Sequence, residues 1–300
     1  IRLSLVGSEM CIRDSSALDY IIRVPEFPKA NFSAPINDMK TFNGGAAANV
    51  ALVGANLGLK TSLVSAVGGD FKKSNYYEIM ESLDVDTDSL IIVPGETSPT
   101  AFVLTDENDD QISYFYWGAA KEFASSKVPK NAISNVQAVH LATGDPHFNW
   151  KCSEEAKRQE LLVSFDPGQD LGMYDTDKLR DVITNTTILF GNHYEIERIL
   201  ESLEVDLDGL REIGPKIIVK TCGANGSEIY SNNDKIKVDA IVREAVDPTG
   251  AGDSYRAGFL SRFLNGESLE QSAKFASSVS SFIVEAVSYT HLTLPTTPYV

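Results

Sequence analysis

The chain is poor in the residues that build metal centres and covalent staples. Its 300 residues include three cysteines, Cys11, Cys152 and Cys222, with no CxxC and no paired spacing. A disulfide framework is not expected, and the thiols read as reduced cysteines of a cytoplasmic protein. Four scattered histidines give no zinc-ligand pattern. Positive charge is scarce too: 26 Lys and Arg stand against 42 Asp and Glu, a net charge of −16. That balance argues against nucleic acid as a partner, because a phosphate backbone needs clustered cations. No run of about 18 apolar residues occurs, so no membrane-spanning helix is expected. Two nucleotide fingerprints are also missing. No GxGxxG follows a first strand, which disfavours a dinucleotide-binding fold. Gly54–Thr61 (GANLGLKT) lacks the GxxxxGK[ST] spacing and ends a helix where a phosphate loop begins one.

What is present is a core-forming composition, 43% hydrophobic, enough for one large α/β domain or two modest ones. Apolar strands alternate with helices through the centre of the chain. They fall at Thr61–Val67, Val136–Ala142, Leu161–Phe165, Thr187–Phe190 and Lys216–Thr221. This pattern predicts a mostly parallel, doubly wound sheet covered by helices on both faces. The early segments break the alternation. Ala17–Val24 reads as a strand, and Ala101–Thr105 with Gln111–Trp117 reads as a hairpin around Asp106–Asp110. These regions, about 20–43 and 100–118, suit a small β appendage able to close over a site as a lid.

The two ends read as foreign to this pattern. Residues 1–15 carry Glu9, Arg13 and Asp14 where a first strand should be cleanly apolar, and 287–300 are rich in Thr and Pro without a helical period. Both resemble adapter-derived sequence. The folded domain is therefore expected to span 16–286, with its first strand and C-terminal helix damaged, and the chain as written is expected to be unstable or weakly active.

The chemistry concentrates in Asp247-Pro-Thr-Gly-Ala-Gly-Asp253, which runs straight into a helix-like stretch, Ser254–Leu264. Glycines there let the backbone turn and approach a ligand. The following helix start offers unpaired N–H groups and its positive dipole end, an anion site suited to phosphate. A carboxylate at the mouth of a phosphate site is repelled by its own ligand. Taking a proton from an attacking hydroxyl would give Asp253 a reason to be there. Given the net charge, such a site must be made locally, from N–H groups, a dipole, a metal or one or two cations.

Other constellations are ambiguous alone. Gly44-Gly45-Ala-Ala-Ala-Asn49 is either a ligand-hugging helix start or a tightly packed helix of small residues. Asp19, inside an apolar strand, either faces water or grips hydroxyls of a polar ligand. Asn192 and Glu195 lie on one helical face and can hold a hydrated magnesium, or can cap the helix. Lys220–Gly226 either covers a nucleotide or is a plain hairpin turn.

Taken together, GGAAAN at 44–49 and DPTGAGDSYRAGF at 247–259 resemble the two signatures of the PfkB (ribokinase-like) carbohydrate kinase family. VGGD at 67–70, NHYE at 192–195 and the Lys220–Gly226 turn fall in family order. ALDYI (17–21), WGAAK (117–121), ATGDP (142–146) and SFDPGQDL (164–171) look closest to its archaeal nucleoside kinases. The resemblance implies transfer of the ATP γ-phosphate to the 5′-hydroxyl of a nucleoside, with Mg²⁺ and with K⁺ as the candidate monovalent cation. A sugar kinase of the ribokinase or fructokinase type is the alternative. It implies Asp253 as general base, with Gly250, Ala251, Gly252 and Asp253 forming the anion hole. Asp19, Gly45, Asn49 and Gln169, with Gly118, Ala119 and Ala120 from the lid side, would bind the nucleoside. Asn192 and Glu195 would organise Mg²⁺ and phosphates, and Lys220, Thr221, Gly223 and Gly226 would line the ATP site. Asp247 and Thr249 would hold a monovalent cation. Such proteins are monomers or homodimers.

Overall fold

The computed structural model describes residues 9–13, 16–108, 110–134, 136–231, 234–243 and 250–284. Strands, in chain order, are β1 (Glu9–Arg13), β2 (Ala17–Arg23), β3 (Asp38–Gly44), β4 (Lys60–Val64), β5 (Ala66–Gly68), β6 (Ile91–Val93), β7 (Thr100–Thr105), β8 (Gln111–Tyr116), β9 (Ala138–Leu141), β10 (Leu162–Phe165), β11 (Ile188–Asn192), β12 (Ile217–Thr221), β13 (Ser227–Ser231) and β14 (Asp234–Val238). Helices are α1 (Ala46–Asn56), α2 (Asn75–Ser82), α3 (Lys130–Ile133), α4 (Pro146–Arg158), α5 (Thr176–Asn185), α6 (His193–Leu203), α7 (Leu207–Ile213), α8 (Ala251–Leu264) and α9 (Leu269–Val284).

The central sheet has eight strands in the order β14-β13-β12-β11-β10-β9-β1-β4. The pairings from β12 through to β4 are parallel, and β13 and β14 close one edge antiparallel. Alternation sends Met10 and Ile12 to one face and Cys11 to the other. The first face packs with Phe190, Tyr255 and Phe259 beneath α1, α8 and α9. The second packs with Phe148, Phe165 and Leu179 beneath α4, α5 and α6. A parallel sheet buried on both faces follows from strands that are apolar at nearly every position.

Two expectations change. The folded unit reaches back to Glu9 rather than starting at 16, because Glu9–Arg13 pairs with both β4 and β9 in the middle of the sheet. A clean apolar run is not needed there. Met10, Cys11 and Ile12 are buried, while Glu9 reaches Lys60 at 3.1 Å on the rim. Residues 287–300 lie outside the described residues. The Thr61–Val67 strand also divides: β4 joins the central sheet, while β5 turns off to pair with β6.

The early β segments pair with one another in a separate four-stranded sheet, β3-β2-β7-β8, with β2 and β7 parallel. One face carries Asp19, Ile21, Val103 and Phe115 toward a cavity. The other leaves Met39, Phe102, Ile112, Tyr114 and Tyr116 exposed. The VGGD stretch clips this sheet to the domain. Asp70 accepts the backbone N–H of Ser98 at 2.9 Å and its hydroxyl at 3.0 Å, just before β7. Among the described residues no helix is long and apolar enough to cross a membrane.

Candidate active site

Two kinds of helix start bear on the site. Helices α2, α4, α5, α6 and α7 begin with Ser74, Asp145, Asp175, Asn192 and Asp206, each accepting a backbone N–H of its own first turn. Helices α1 and α8 begin at Gly45 (φ 97°) and Gly250 (φ 75°), with no side-chain cap. Positive φ favours glycine at both positions. The uncapped N–H groups stay available to a ligand, and both helix starts open into one cavity of about 970 Å³.

That cavity lies outside the carboxyl ends of β9 and β10, where Ala142, Thr143 and Asp166 follow the strands, and beneath the four-stranded sheet. The chain leaves β1 to β4 on one side and returns to β9 on the other. Ligand crevices of open α/β sheets form at such a reversal. The lining brings together Asp19, Gly45, Asn49, Gln169, Glu195, Gly250 and Asp253 from distant parts of the chain. A wider groove beside Trp150 and Lys151 gathers none of the motif residues.

Asp253 sits in the first turn of α8 and is 9% exposed. Its Oδ2 accepts Asn49 Nδ2 at 2.7 Å, and its Oδ1 accepts Arg256 Nη1 at 2.7 Å. Asn49 is braced in turn by Tyr76, whose hydroxyl donates to Asn49 Oδ1 at 3.2 Å. Burial pushes the Asp253 carboxyl up to about 7, a value suited to a general base near neutral pH. The Asn49 hydrogen bond opposes that rise, while Asp19 and Glu195 reinforce it by repulsion. The neighbouring guanidinium of Arg256 favours the charged form.

Asp19 points into the cavity rather than to water. Gly44 makes this possible, since a Cβ there would stand 2.1 Å from Asp19 Oδ2. Burial raises the Asp19 carboxyl to about 6. Glu195 and Asn192 form the capping arrangement in full: Glu195 N–H donates to Asn192 Oδ1 at 2.9 Å, and Asn192 N–H to Glu195 Oε2 at 2.7 Å. The Glu195 carboxyl still lines the cavity, and burial raises it above the usual range.

Other expected residues lie elsewhere. Gly118, Ala119 and Ala120 are buried and do not line this cavity. The Ala119 N–H donates to Thr97 O at 2.9 Å, and Ala120 packs into the core. Lys220 is ion-paired to Glu228 across the hairpin at 3.0 Å, so its charge already has a partner. Thr221 stands beside Asn192 in the sheet register. Gly223 opens to space, whereas a Cβ on Gly226 would stand 2.0 Å from Val238 O. Their glycines serve the hairpin turn directly. Asp247 and Thr249 lie outside the described residues.

Sequence reasoning missed two charged residues of the cavity, Asp166 and Arg256. Arg256 Nε pairs with Asp166, and both side chains are largely buried. The signal was available: Arg256 stands three residues after Asp253 on a helix, the spacing at which side chains meet.

A buried carboxylate beside an uncapped helix start, at a strand-end crevice under a small sheet, is the arrangement of a ribokinase-like kinase. The chain belongs to that class as a member of the pfkB carbohydrate kinase family, which it matches over residues 8–297. It is 58% identical over 270 residues to the nucleoside kinase of Methanothermobacter thermautotrophicus, covering 90% of this chain and 87% of that protein. It is 43% identical over 272 residues to the nucleoside kinase of Methanocaldococcus jannaschii, covering 90% and 88%. The crystal structure of the latter, described as an archaeal member of the ribokinase family, superposes with a TM-score of 0.90 at 40% identity and covers 95% of each chain. The Burkholderia thailandensis nucleoside kinase in complex with ADP-inosine shares the fold, with a TM-score of 0.80 at 22% identity over 94% of this chain and 90% of that one.

Proposed function

We propose that this kinase transfers the γ-phosphate of ATP to the 5′-hydroxyl of a nucleoside, with Asp253 as general base. The observation that carries the reading is Asp253 itself, a carboxylate buried three residues after the uncapped Gly250 start of α8 and held on both oxygens. The 58% identity to a nucleoside kinase supports the acceptor class.

In this reading the acceptor lies between the central sheet and the four-stranded sheet. Asp19 accepts ribose hydroxyls from above, and Gln169 and the α1 start bound the other side. Asp253 takes the proton of the attacking hydroxyl, and the N–H groups of Gly250, Ala251, Gly252 and Asp253 receive the phosphoryl oxygens. Phosphoryl transfer needs alignment and charge neutralisation more than covalent help. Each preorganised donor supplies about 10²–10³ in rate. The four-stranded sheet acts as a lid that excludes water, the competing acceptor.

Among the described residues no cluster of three or more His, Cys, Asp or Glu could hold a metal ion. A single carboxylate, Glu195, with the Asn192 amide beside it, fits Mg²⁺, which keeps most of its waters and binds mainly through substrate phosphates. Glu195 and Asn192 would hold it, and it would neutralise phosphate charge. A cytoplasmic location belongs to the same reading.

An ADP-release screen over nucleosides and simple sugars, each with ATP and Mg²⁺, tests the assignment. Turnover is expected with nucleosides and with ribose or fructose at least tenfold below them. Turnover with sugars alone would move the chain to the sugar kinases, and ADP release with no acceptor at all would sink the reading.

A further inference from the structure

The proposed reaction gives Asp253 a proton and the α8 start a phosphate, and it leaves Arg256 without a task. Arg256 is nevertheless the cation in direct contact with the base. Its side chain is 16% exposed, and it lies between two carboxylates. Nη1 donates to Asp253 Oδ1 at 2.7 Å, and Nε pairs with Asp166. Asp166 is 2% exposed and is fixed by the loop after β10, its Oδ1 accepting the Gly168 N–H at 2.9 Å. Gly252 leaves the guanidinium room: a Cβ there would stand 3.1 Å from Nη1.

The surroundings make a cation necessary. Asp253 faces Asp19 from β2 and Glu195 from α6, both acidic, and neutral Asn49 from α1. His140 on β9 is buried and near Arg256; burial and the Arg256 charge hold it down to about 3, so it is neutral. Burial lowers Arg256 only to about 10, so it stays charged. A base among carboxylates with no compensating cation would keep its proton above neutral pH.

We propose that Arg256 is a positioning residue for phosphotransfer: bridging Asp166 and Asp253, it aims the base and keeps it in its charged form until the acceptor hydroxyl arrives. In the step itself the acceptor O–H bond breaks and its proton passes to Asp253. The oxygen lone pair forms the bond to the γ-phosphorus, and the bond from that phosphorus to the β-phosphate oxygen breaks with its electrons leaving on ADP. Asp253 becomes neutral, and Arg256 keeps a full counter-charge in Asp166. The pair left behind is therefore balanced, and the guanidinium needs no new partner during the step.

This inference rests on Asp253 being the base, so its test reads the carboxyl with and without turnover. Two measurements are made on wild type, Arg256→Gln, Arg256→Lys and Asp166→Asn. One is the pH profile of kcat/KM with ATP, Mg²⁺ and the best acceptor. The other is an infrared titration of the protonated-carboxyl band that Asp253→Asn removes. Arg256→Gln is expected to lower kcat about 10²-fold with acceptor KM within about threefold, and to raise both midpoints by about one pH unit. Arg256→Lys recovers most of the shift because it keeps the charge. Asp166→Asn moves both midpoints down, since one repelling carboxylate is gone. If Arg256→Gln does not fold, Asp166→Asn decides by its downward shift, with Arg256→Lys near the wild-type midpoints as the charge-retaining control. Unmoved midpoints in Arg256→Gln, or in Asp166→Asn where the Gln variant does not fold, would overturn the inference. A wild type that phosphorylates nothing, with infrared midpoints that still shift as stated, would remove the proposed function and leave the Arg256 bridge standing.

Discussion

Asn49 and Asp253 are 204 positions apart in the chain and meet side chain to side chain at 2.7 Å. The contact joins the two signature segments: Asn49 closes GGAAAN at the start of α1, and Asp253 closes DPTGAGD at the start of α8. Asn49 therefore serves the base as well as any sugar hydroxyl. Its amide orients the carboxylate, and Tyr76 orients the amide.

Replacing Asp253 with Asn keeps the shape and removes the proton acceptor. Turnover is expected to fall by about 10²–10⁴. ATP affinity, measured by calorimetry, should stay within about threefold of wild type. Turnover retained at the wild-type level would remove the base assignment.

The pH dependence has a defined sign. Asp253 works as a base only when deprotonated, and its carboxyl is raised to about 7. The kcat/KM profile should climb through pH 7 and level off above 8, falling about tenfold per unit well below the midpoint. A profile flat from pH 5 to 8 would show that this group does not limit the reaction.

Two glycines of the anion hole should separate stability from activity. Gly250 adopts φ 75°. Gly250→Ala places a side chain in the left-handed region at a cost of about 1 kcal/mol, or roughly 2–4 °C in Tm. Gly252 is helical, so Gly252→Ala should leave Tm unchanged or slightly higher. Its Cβ would stand 3.1 Å from Arg256 Nη1 and crowd the guanidinium that holds the base. It should therefore lose at least tenfold in kcat. Differential scanning fluorimetry beside steady-state kinetics reads both effects.

Asp19 carries a cost in the ligand-free protein. Its carboxyl is raised to about 6 by burial, so the fold disfavours its charged form. The penalty is absent below the unfolded value near 4, grows as pH rises, and is complete above about 6. Asp19→Asn should then be more stable than wild type by about 1–2 kcal/mol at pH 8, and equal to it at pH 4. The same variant should raise acceptor KM at least tenfold. Urea denaturation at the two pH values, with acceptor titration, checks both halves.

The sequence made the alternation of strands and helices legible, and with it the doubly wound sheet. It made the segments of the second sheet legible too, because the early β stretches broke that alternation. It singled out Asp253 through its motif, and Asn49, Asp19 and Glu195, ambiguous alone, through the family resemblance. What it hid has physical causes. In the strand Glu9–Arg13 the buried run Met10, Cys11 and Ile12 is too short for a periodic signal. Gly118–Ala120 carries a family-like string whose small residues were needed for packing under β5, a demand set by tertiary contacts alone. The Lys220 partner, Glu228, depends on hairpin register. Arg256 was visible as an i,i+3 neighbour, but its second partner, Asp166, comes from another strand end, and no local pattern links the two.

The most direct test mixes wild-type protein or Asp253→Asn with ATP, Mg²⁺ and the best acceptor of a nucleoside panel, and identifies the product by phosphorus NMR. The account predicts a nucleoside 5′-monophosphate formed in step with ADP by the wild type, and a rate at least 10²-fold lower for Asp253→Asn. A phosphate on any other hydroxyl, or equal rates for the two proteins, would contradict it.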